Sequence, residues 1–317
     1  MISIIIVSFN TSDLLANCIR SIYGSNIRAD FEIIVVDNNS KDDSVAMCRT
    51  QFPNVQVIEN KVNNMFAKAN NQGIAIARGD AVLLLNSDTV VDLDVVDTLY
   101  RFMRGNHMVA AVGPRLINVD GSLQSQGYPL KPMLWTVIRN FSLDNALPPS
   151  IRHRLMPWTN PVNTNAMRVG WVGGACMLIS KQAIGKVGGL CEALYFYGEE
   201  VEWCWRARNG GMQIWCLPQV SVLHLGGAST KSPQAPIELK INEHRMASTL
   251  ELVKKTTGVP YNLVLGLVIV SALLIKLPIA YLLRPPPNPL SKDILVRLLN
   301  ELRFMRYQAN WLLKIKR

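Results

Sequence analysis

Acidic side chains in one short segment have the type and spacing that acid–base chemistry requires. Glu199, Glu200 and Glu202 follow Gly198 at the start of an apolar, aromatic run. Carboxylates in apolar surroundings can be tuned as general bases, so the adjacent pair Glu199 and Glu200 is the candidate for catalysis. Glu202 has a simpler explanation, because Arg206 lies four residues further on and forms an i,i+4 ion pair with it on a helix.

A second group of candidates suits a divalent cation. Asp88 belongs to the segment Asn86-Ser87-Asp88-Thr89, which follows an apolar run. A carboxylate at the end of a strand suits a hard cation that holds phosphate oxygens. His224 also follows a strand-like run and precedes a glycine turn, where an imidazole can bind a metal or a phosphate. Both have an ordinary interpretation as well, as a turn residue and a structural histidine.

A glycine pair is the third candidate. Gly173 and Gly174 lie next to an apolar run that includes Cys176 and Met177. Glycine has no side chain, so a ligand can approach the backbone closely at such a turn. The pair is therefore predicted to contact a bound ligand.

The elements that position these groups are strand-like runs that each end in polar residues. Buried parallel strands have continuous apolar runs of this kind, here at residues 4–7, 33–36, 55–58 and 82–85. Ligands bind beyond the carboxyl ends of such strands. The polar clusters that follow the runs are Ser8-Phe9-Asn10, Asp37-Asn38-Asn39-Ser40, Asn63-Asn64 and Asn86-Ser87-Asp88.

Helical patterns separate the strands. Thr11 or Ser12 is predicted to cap a first helix, and Ser40 a second, with Asp43 three residues on. A third helix is expected over residues 67–77 and a fourth over 93–103. The alternation predicts an α/β fold: a Rossmann-type, mostly parallel sheet with helices on both faces.

Charge divides the 317 residues into two parts. Of the net charge of +10, +9 belongs to residues 254–317, which hold 11 Lys or Arg against 2 Asp or Glu. We therefore predict a catalytic domain over 1–253 and an apolar, basic, helical tail over 254–317. The six cysteines form no CxxC pair, which indicates reduced thiols rather than a disulfide framework or a zinc site.

The tail has the composition of a membrane-associated region. Residues 261–283 are nearly all apolar, interrupted by Lys276 and Pro278, and about 20 apolar residues span a bilayer. Basic residues on both sides favour the cytoplasm, so a re-entrant or in-plane segment is favoured over a single span; a buried core helix remains the alternative. Residues 294–313 resemble a basic amphipathic helix on a membrane surface, or one that binds a partner protein.

Taken together and in order, these motifs resemble the inverting family 2 glycosyltransferases, which have the GT-A fold. The resemblance covers about residues 1–230, and the triplet Asn86-Ser87-Asp88 with the turn His224-Leu225-Gly226-Gly227-Ala228-Ser229 is most similar to bacterial rhamnosyltransferases. It implies a metal-dependent transfer of L-rhamnose from dTDP-rhamnose to a lipid-linked or polysaccharide acceptor. It also implies work in cell-surface glycan assembly, at the cytoplasmic face of the inner membrane, with a peripheral or monotopic attachment.

The resemblance assigns roles to individual residues. It implies that Asp88 binds Mg²⁺ or Mn²⁺ on the pyrophosphate, with His224 as a further metal or phosphate ligand, and that Glu200 is the base, with Glu199 beside it. The expected nucleotide-sugar contacts are Ser8, Asn10, Asp37, Asp42, Asn63, Asn86, Gly173 and Gly174.

Three positions depart from the family pattern. Asn86 replaces the first acid of the usual DxD motif, which removes one negative charge from the metal site. Glu200 replaces the usual aspartate and is one methylene longer. Met65 stands where glycine is usual, at the loop that contacts the donor sugar.

Several other functions share features of this sequence. A UDP-hexose enzyme of the same fold and a non-catalytic, membrane-tethered sugar-binding protein remain open alternatives. A polyprenyl-phosphate sugar synthase would need no general base, and a processive synthase is disfavoured because no QxxRW motif is present. A nucleotidyltransferase or dinucleotide oxidoreductase would carry a glycine-rich loop after the first strand, which is absent. The long apolar run argues against nucleic acid as the partner of the basic tail.

Overall fold

The structure is a computed structural model that describes residues 1–124, 148, 150, 162–194 and 198–226, together with 267, 270–271 and 273–275. The chain divides into two compact units. The first contains residues 1–130 and 157–248, and the second contains residues 131–156 and 249–317. Nearly all the described residues belong to the first unit.

The first half of this unit alternates strands and helices. Its elements are β1 (Ile2–Ser8), α1 (Ser12–Tyr23), β2 (Phe31–Asp37), α2 (Ser44–Gln51), β3 (Gln56–Glu59), α3 (Met65–Ile76), β4 (Ala81–Asn86), β5 (Thr89–Val91) and α4 (Val95–Arg104). Strands β3, β2, β1 and β4 are adjacent and parallel. The expected parallel βα arrangement is therefore confirmed for these four strands.

The second half of the unit adds strands of both directions. Its elements are β6 (Val109–Ile117), β7 (Met167–Val169), β8 (Cys176–Ser180), α5 (Lys181–Val187), α6 (Glu199–Asn209) and β9 (Gln213–His224). Within the described residues the sheet order is β3-β2-β1-β4-β8-β6-β9-β5, and β7 pairs with β9. Because β8 is antiparallel to both β4 and β6, and β5 to β9, the sheet is mixed.

Helices cover both faces of the sheet, as predicted. Successive strand residues point to opposite faces, so Ile4 packs in a core with α1, α2 and α4, while Ile5 packs in a second core with α3, α5 and α6. The α1 helix shows why it forms: Leu15, Cys18, Ile19 and Ile22 recur on one face and are fully buried.

Some predicted helix boundaries were wrong. The α2 helix begins at Ser44 and its cap position is Asp43, so Ser40 does not cap it. The Ser40 hydroxyl instead accepts a hydrogen bond from the backbone N–H of Asn10 at 2.9 Å. A short polar side chain can serve a neighbouring loop as well as a helix end, and local sequence does not distinguish these uses.

The predicted tail lies almost entirely outside the described residues. Positions 267, 270–271 and 273–275 are helical. No helix in the described part of the chain is both long and apolar enough to cross a membrane. The six cysteines are all free thiols, and five of them are buried.

Candidate active site

The predicted polar edge is present at the carboxyl ends of the parallel strands. The strand register places Ser8 of β1 beside Asp37 of β2, and Val7 of β1 beside Asn86 of β4. Residues from three separate segments are therefore neighbours along one line. This is the arrangement that the strand-end clusters predicted.

The loop after β1 is locked to the loop after β2 by Asn10. Its backbone is left-handed, with φ of 54°. Its N–H donates to the Ser40 hydroxyl at 2.9 Å, and its Oδ1 accepts from the N–H of Lys41 at 2.7 Å. Asn10 therefore shapes this end of the site through its backbone and its amide oxygen.

Asp42 holds the starts of two helices. Its Oδ2 accepts from the N–H of Ser12 at 2.8 Å, at the beginning of α1. Its Oδ1 accepts from the N–H of Ser44 at 3.1 Å and from the Ser44 hydroxyl at 2.6 Å, at the beginning of α2. Helix starts leave N–H groups without partners, and carboxylates are favoured there. Asp42 thus has a structural role beside its predicted contact with a nucleotide.

Asp37 presents a buried oxygen to the site. The residue is only 3% exposed, and its Oδ2 accepts from the N–H of Ser40 at 2.9 Å. Its Oδ1 is buried and has no hydrogen-bond partner. Buried polar atoms are nearly always satisfied, so this oxygen is suited to accept a hydrogen bond from a ligand.

Three buried hydroxyls connect the end of β1 with the loop after β4. The Thr11 hydroxyl donates to the Ser87 hydroxyl at 3.0 Å and lies 3.0 Å from the Ser8 hydroxyl. A hydroxyl has only one hydrogen to give. Because Thr11 gives its hydrogen to Ser87, the Ser8 hydroxyl must donate to the Thr11 hydroxyl. Ser8 therefore lies at the end of β1, as expected, and its hydroxyl hydrogen is directed at Thr11.

Asp88 and His224, the two residues predicted to bind a metal, lie close together. Asp88 Oδ1 lies 3.3 Å from His224 Nε2, and both side chains are largely buried. The Asn86 side-chain nitrogen lies 3.3 Å from the same ring nitrogen. Strand β5 brings these residues together, because Thr89 pairs with His224 across its ladder with β9.

The pair offers one carboxylate oxygen and one ring nitrogen, which are two of the several ligands that a bound cation needs. No group of three or more His, Cys, Asp or Glu side chains converges on one point within the described ranges. Hard cations such as Mg²⁺ usually keep several waters and bind one or two carboxylates plus substrate phosphates. Two converging electron-rich atoms, Asp88 Oδ1 and His224 Nε2, therefore fit a metal that a donor's phosphates would share.

Gln124 was not among the predicted residues. Its Oε1 lies 2.8 Å from His224 Nδ1, and its Nε2 donates to the His224 carbonyl at 2.6 Å. The segment Asp120-Gly121 signals a turn, and the chain does turn back there onto β6. The meeting of Gln124 with a residue at the end of β9 carries no signal in local sequence.

The acidic pair starts α6. Gly198 precedes it in a left-handed conformation with φ of 104°, which glycine adopts without strain. Glu199 is buried, and its Oε1 has no hydrogen-bond partner. Burial, followed by the nearby charge of Glu200, raises the pKa of Glu199 to about 8. Burial also raises the pKa of Glu200.

Glu202 has the structural role that its spacing predicted. Both of its carboxylate oxygens accept from Arg206 Nε, at 2.8 and 2.9 Å. Arg206 also donates to the carbonyls of Val187 and Gly189, after α5. The pair therefore joins α6 to the end of α5, and Glu202 is committed to that contact.

The residues at the start of α3 lie beside Gly174. Met65 has a left-handed backbone with φ of 59°. Its N–H donates to Asn63 Oδ1 at 2.9 Å, and its carbonyl accepts from the Asn38 side chain at 3.2 Å. A Cβ on Gly174 would lie 3.0 Å from the Phe66 ring. A larger residue at position 174 would require the Phe66 ring at the start of α3 to shift, a contact that the sequence did not predict.

Similarity to known proteins agrees with this geometry. The family model described as glycosyl transferase family 2 matches residues 3–162. The low-salt glycan biosynthesis hexosyltransferase Agl10 of Haloferax volcanii is 27% identical over 227 residues, which are 70% of this chain and 66% of that protein. The N-acetylglucosaminyl-diphospho-decaprenol L-rhamnosyltransferase of Mycobacterium tuberculosis is 27% identical over 214 residues, which are 62% of this chain and 67% of that protein.

A solved structure shares the fold. It is that of the mannosyltransferase PcManGT of Pyrobaculum calidifontis, in complex with GDP-Man and Mn²⁺. The two superpose with a TM-score of 0.58 at 13% identity, over 97% of this chain and 85% of the mannosyltransferase chain. This chain spans about two thirds of the length of the two relatives named above.

Proposed function

This chain belongs to glycosyl transferase family 2 and is a glycosyltransferase with a GT-A-like fold, and we propose that it transfers L-rhamnose from dTDP-rhamnose to a hydroxyl group of a lipid-linked or polysaccharide acceptor. The observation that carries the proposal is the 3.3 Å approach of Asp88 and His224 at the strand edge that also holds Asp37. A metal-binding pair and a nucleotide-binding carboxyl group on one edge suit a nucleotide-sugar donor.

The nucleotide is proposed to bind over the ends of β1 and β2. The free Oδ1 of Asp37 accepts a hydrogen bond from the base, whose one ring N–H is a suitable donor. Ser8 and Asn10 form the wall of this pocket, and Asp42 keeps the starts of α1 and α2 in place behind it. Asn63 fixes the turn before α3, beside the position proposed for the donor sugar.

The pyrophosphate is proposed to lie beside Asp88 and His224. These two residues would hold Mg²⁺ or Mn²⁺, which when bound neutralises negative charge that builds up on the departing nucleoside diphosphate. Asn86 contributes an uncharged side chain here, so the protein itself supplies a single carboxylate among the residues assigned to the metal.

Glu200 is proposed to act as the general base. Its carboxylate takes the proton of the acceptor hydroxyl while the acceptor oxygen bonds to the anomeric carbon and the bond from that carbon to the phosphate oxygen breaks, its electron pair leaving with the nucleoside diphosphate. Attack from the face opposite the leaving group inverts the anomeric centre. Glu199 has a pKa raised to about 8, in part by the charge of Glu200, so we place the proton of the pair on Glu199 and the negative charge on Glu200.

The choice of rhamnose and of a lipid-linked acceptor is supported by one relative. The mycobacterial protein is named as an L-rhamnosyltransferase that acts on N-acetylglucosaminyl-diphospho-decaprenol. The haloarchaeal relative, at the same identity, is named as a hexosyltransferase. A UDP-hexose donor is therefore the second candidate for this site.

The tail is proposed to hold the enzyme at the cytoplasmic face of the membrane. Its net charge of +9 over residues 254–317 suits anionic lipid headgroups. A lipid-linked acceptor is confined to that surface, so attachment would bring the enzyme to its acceptor.

The test is a transfer assay on the full chain. Purified protein with Mn²⁺ is given dTDP-L-rhamnose or a UDP-hexose, together with a polyprenyl-diphosphate-linked N-acetylglucosamine. We expect a rhamnosylated product whose new linkage has the anomeric configuration opposite to that of the donor. Transfer from UDP-hexoses alone would replace the donor assignment, and binding of donors without transfer or hydrolysis would indicate a sugar-binding protein.

A further inference from the structure

We propose that Gln124 is a positioning residue that holds His224 in the tautomer whose unprotonated Nε2 faces Asp88, where a metal would bind. The inference rests on the metal role given to His224 in the proposed function. One carboxamide contacts His224 at two points: Gln124 Nε2 donates to the His224 carbonyl at 2.6 Å, and Gln124 Oε1 lies 2.8 Å from Nδ1 of the ring. These two contacts fix both the backbone and the ring.

The direction of these hydrogen bonds is set by a short chain of residues that starts at Asp120. Hydrogen bonds from Ser122 lower the pKa of Asp120, so Asp120 is a carboxylate and can only accept. The Ser122 hydroxyl donates to it at 2.6 Å and accepts from Asn118 Nδ2 at 2.9 Å. The oxygen of the Asn118 amide is therefore the end that accepts from Gln124 Nε2, at 2.7 Å.

This chain determines where the proton of the imidazole sits. Because Gln124 Nε2 donates to both Asn118 and the His224 carbonyl, the atom that faces Nδ1 is the Gln124 oxygen. An amide oxygen can only accept, so Nδ1 must carry the hydrogen. In the neutral ring Nε2 then carries the lone pair, which faces Asp88 Oδ1 at 3.3 Å and can accept from the Asn86 side-chain nitrogen at 3.3 Å.

The alternative tautomer would close the metal site. With its hydrogen on Nε2, the ring would donate directly to Asp88, and both metal-binding atoms would be satisfied by each other. Gln124 prevents this pairing by holding the hydrogen on the far side of the ring. Metal-bound histidines usually donate their second ring N–H to a neighbouring group in this way.

The turn at residues 118–122 places the Gln124 amide beside the His224 ring. Ile117 and Leu123 form an isolated antiparallel bridge, and the N–H of Gln124 donates to the Leu116 carbonyl at 2.9 Å. Leu116 belongs to β6, which pairs with β9 up to Leu223. The turn therefore places Gln124 beside the end of β9, where His224 follows.

The experiment uses the full chain in detergent, at a single pH well above the ordinary pKa of imidazole. Long-range proton–nitrogen NMR of the histidine side chains reports the tautomer, and the His224 signals are identified by their loss in H224Q. Electron paramagnetic resonance measures Mn²⁺ affinity in the presence of a nucleoside diphosphate. Q124L removes both contacts of Gln124 with His224, and Q124E keeps an acceptor facing Nδ1. The control is Q51L, the same change as Q124L at an exposed glutamine of α2.

The wild type should show its hydrogen on Nδ1. Q124L should shift it to Nε2 and weaken Mn²⁺ binding by about 10–100-fold, Q124E should keep it on Nδ1, and Q51L should change neither property. A wild-type ring with its hydrogen on Nε2 overturns the inference without any variant. If Q124L binds Mn²⁺ as tightly as the wild type, this inference alone is overturned. If the wild type binds no Mn²⁺, the metal assignment is overturned and the inference with it.

Discussion

Nε2 of His224 lies 3.3 Å from Oδ1 of Asp88, where the end of β9 meets the loop after β4. A cation between them would be bound by both atoms. We expect D88A and H224A each to weaken the Mn²⁺-dependent binding of a nucleoside diphosphate by at least about tenfold, or about 1.4 kcal/mol. Calorimetry with and without Mn²⁺ measures this. D92A removes an exposed acid just after β5, four residues further along the chain, and should bind normally; an unchanged affinity for D88A would remove Asp88 from the site.

The three acids of α6 should differ in their effects on turnover. E200Q keeps the size of the side chain and removes its basicity, so transfer should fall by about 10²–10⁴-fold while donor binding stays. E199Q should cost less, because Glu199 is already protonated at neutral pH. E202Q should cost least in turnover, since Glu202 is paired with Arg206. Normal turnover of E200Q together with an inactive E199Q would exchange their roles.

The acidic pair should also make stability depend on pH. Glu199 has its pKa raised from 4.5 to about 8 in the folded chain, so between these values the native state binds more protons than the unfolded state. Stability therefore falls as pH rises through this window, by on the order of a few kcal/mol at about 1.4 kcal/mol per pKa unit. Denaturant unfolding from pH 5 to 8 measures the slope. E199Q should flatten it, and E192Q, at an exposed position, should not.

The left-handed backbone of Met65 should lower the stability of the folded protein. Its φ of 59° is unfavourable for any residue with a Cβ, and glycine adopts it freely. M65G should therefore stabilise the protein, by up to about 1 kcal/mol. K68G, at an exposed position inside α3, should destabilise it by a similar amount, because glycine is unfavourable within helices. Urea unfolding compares the stabilities of the two variants. A destabilised M65G would show that the contacts of the methionine side chain stabilise the protein by more than its left-handed backbone destabilises it.

Basic residues of the tail should govern membrane attachment. The full chain should sediment with vesicles that contain anionic lipid, and the triple variant R303E/R306E/K314E should lose most of this binding, at about 1 kcal/mol per basic residue near the surface. R28E/K61E/K68E makes the same change in charge at exposed positions of the first unit and should sediment like the wild type. Equal loss in both variants would point to net charge rather than to the tail.

Sequence identified the strand edge well because its signals are local. The apolar runs and the polar residues that end them lie next to each other in the chain, and the ladder of β1 with β2 and β4 brought Ser8, Asp37 and Asn86 into line as expected. The pair of Glu202 with Arg206 was equally local, four residues apart on one helix.

The predictions that were wrong or absent concern contacts between distant segments. Ser40 carries the side chain of a helix cap, yet its hydroxyl serves Asn10 of another loop. The Phe66 ring lies beside Gly174, a packing contact that the glycine pair did not predict. Gln124 meets His224 only because β6 and β9 are neighbours. Such contacts depend on sheet order, which the local pattern does not specify.

The hydroxyls of Ser8, Thr11 and Ser87 have a consequence for attempts to change the donor. Ser8 borders the proposed nucleotide pocket and Ser87 precedes the proposed metal ligand, so Thr11 joins the two halves of donor recognition. A library that varies the base-binding residues alone would leave Thr11 oriented for the original pocket. Donor exchange by directed evolution should therefore vary these three positions as a single block.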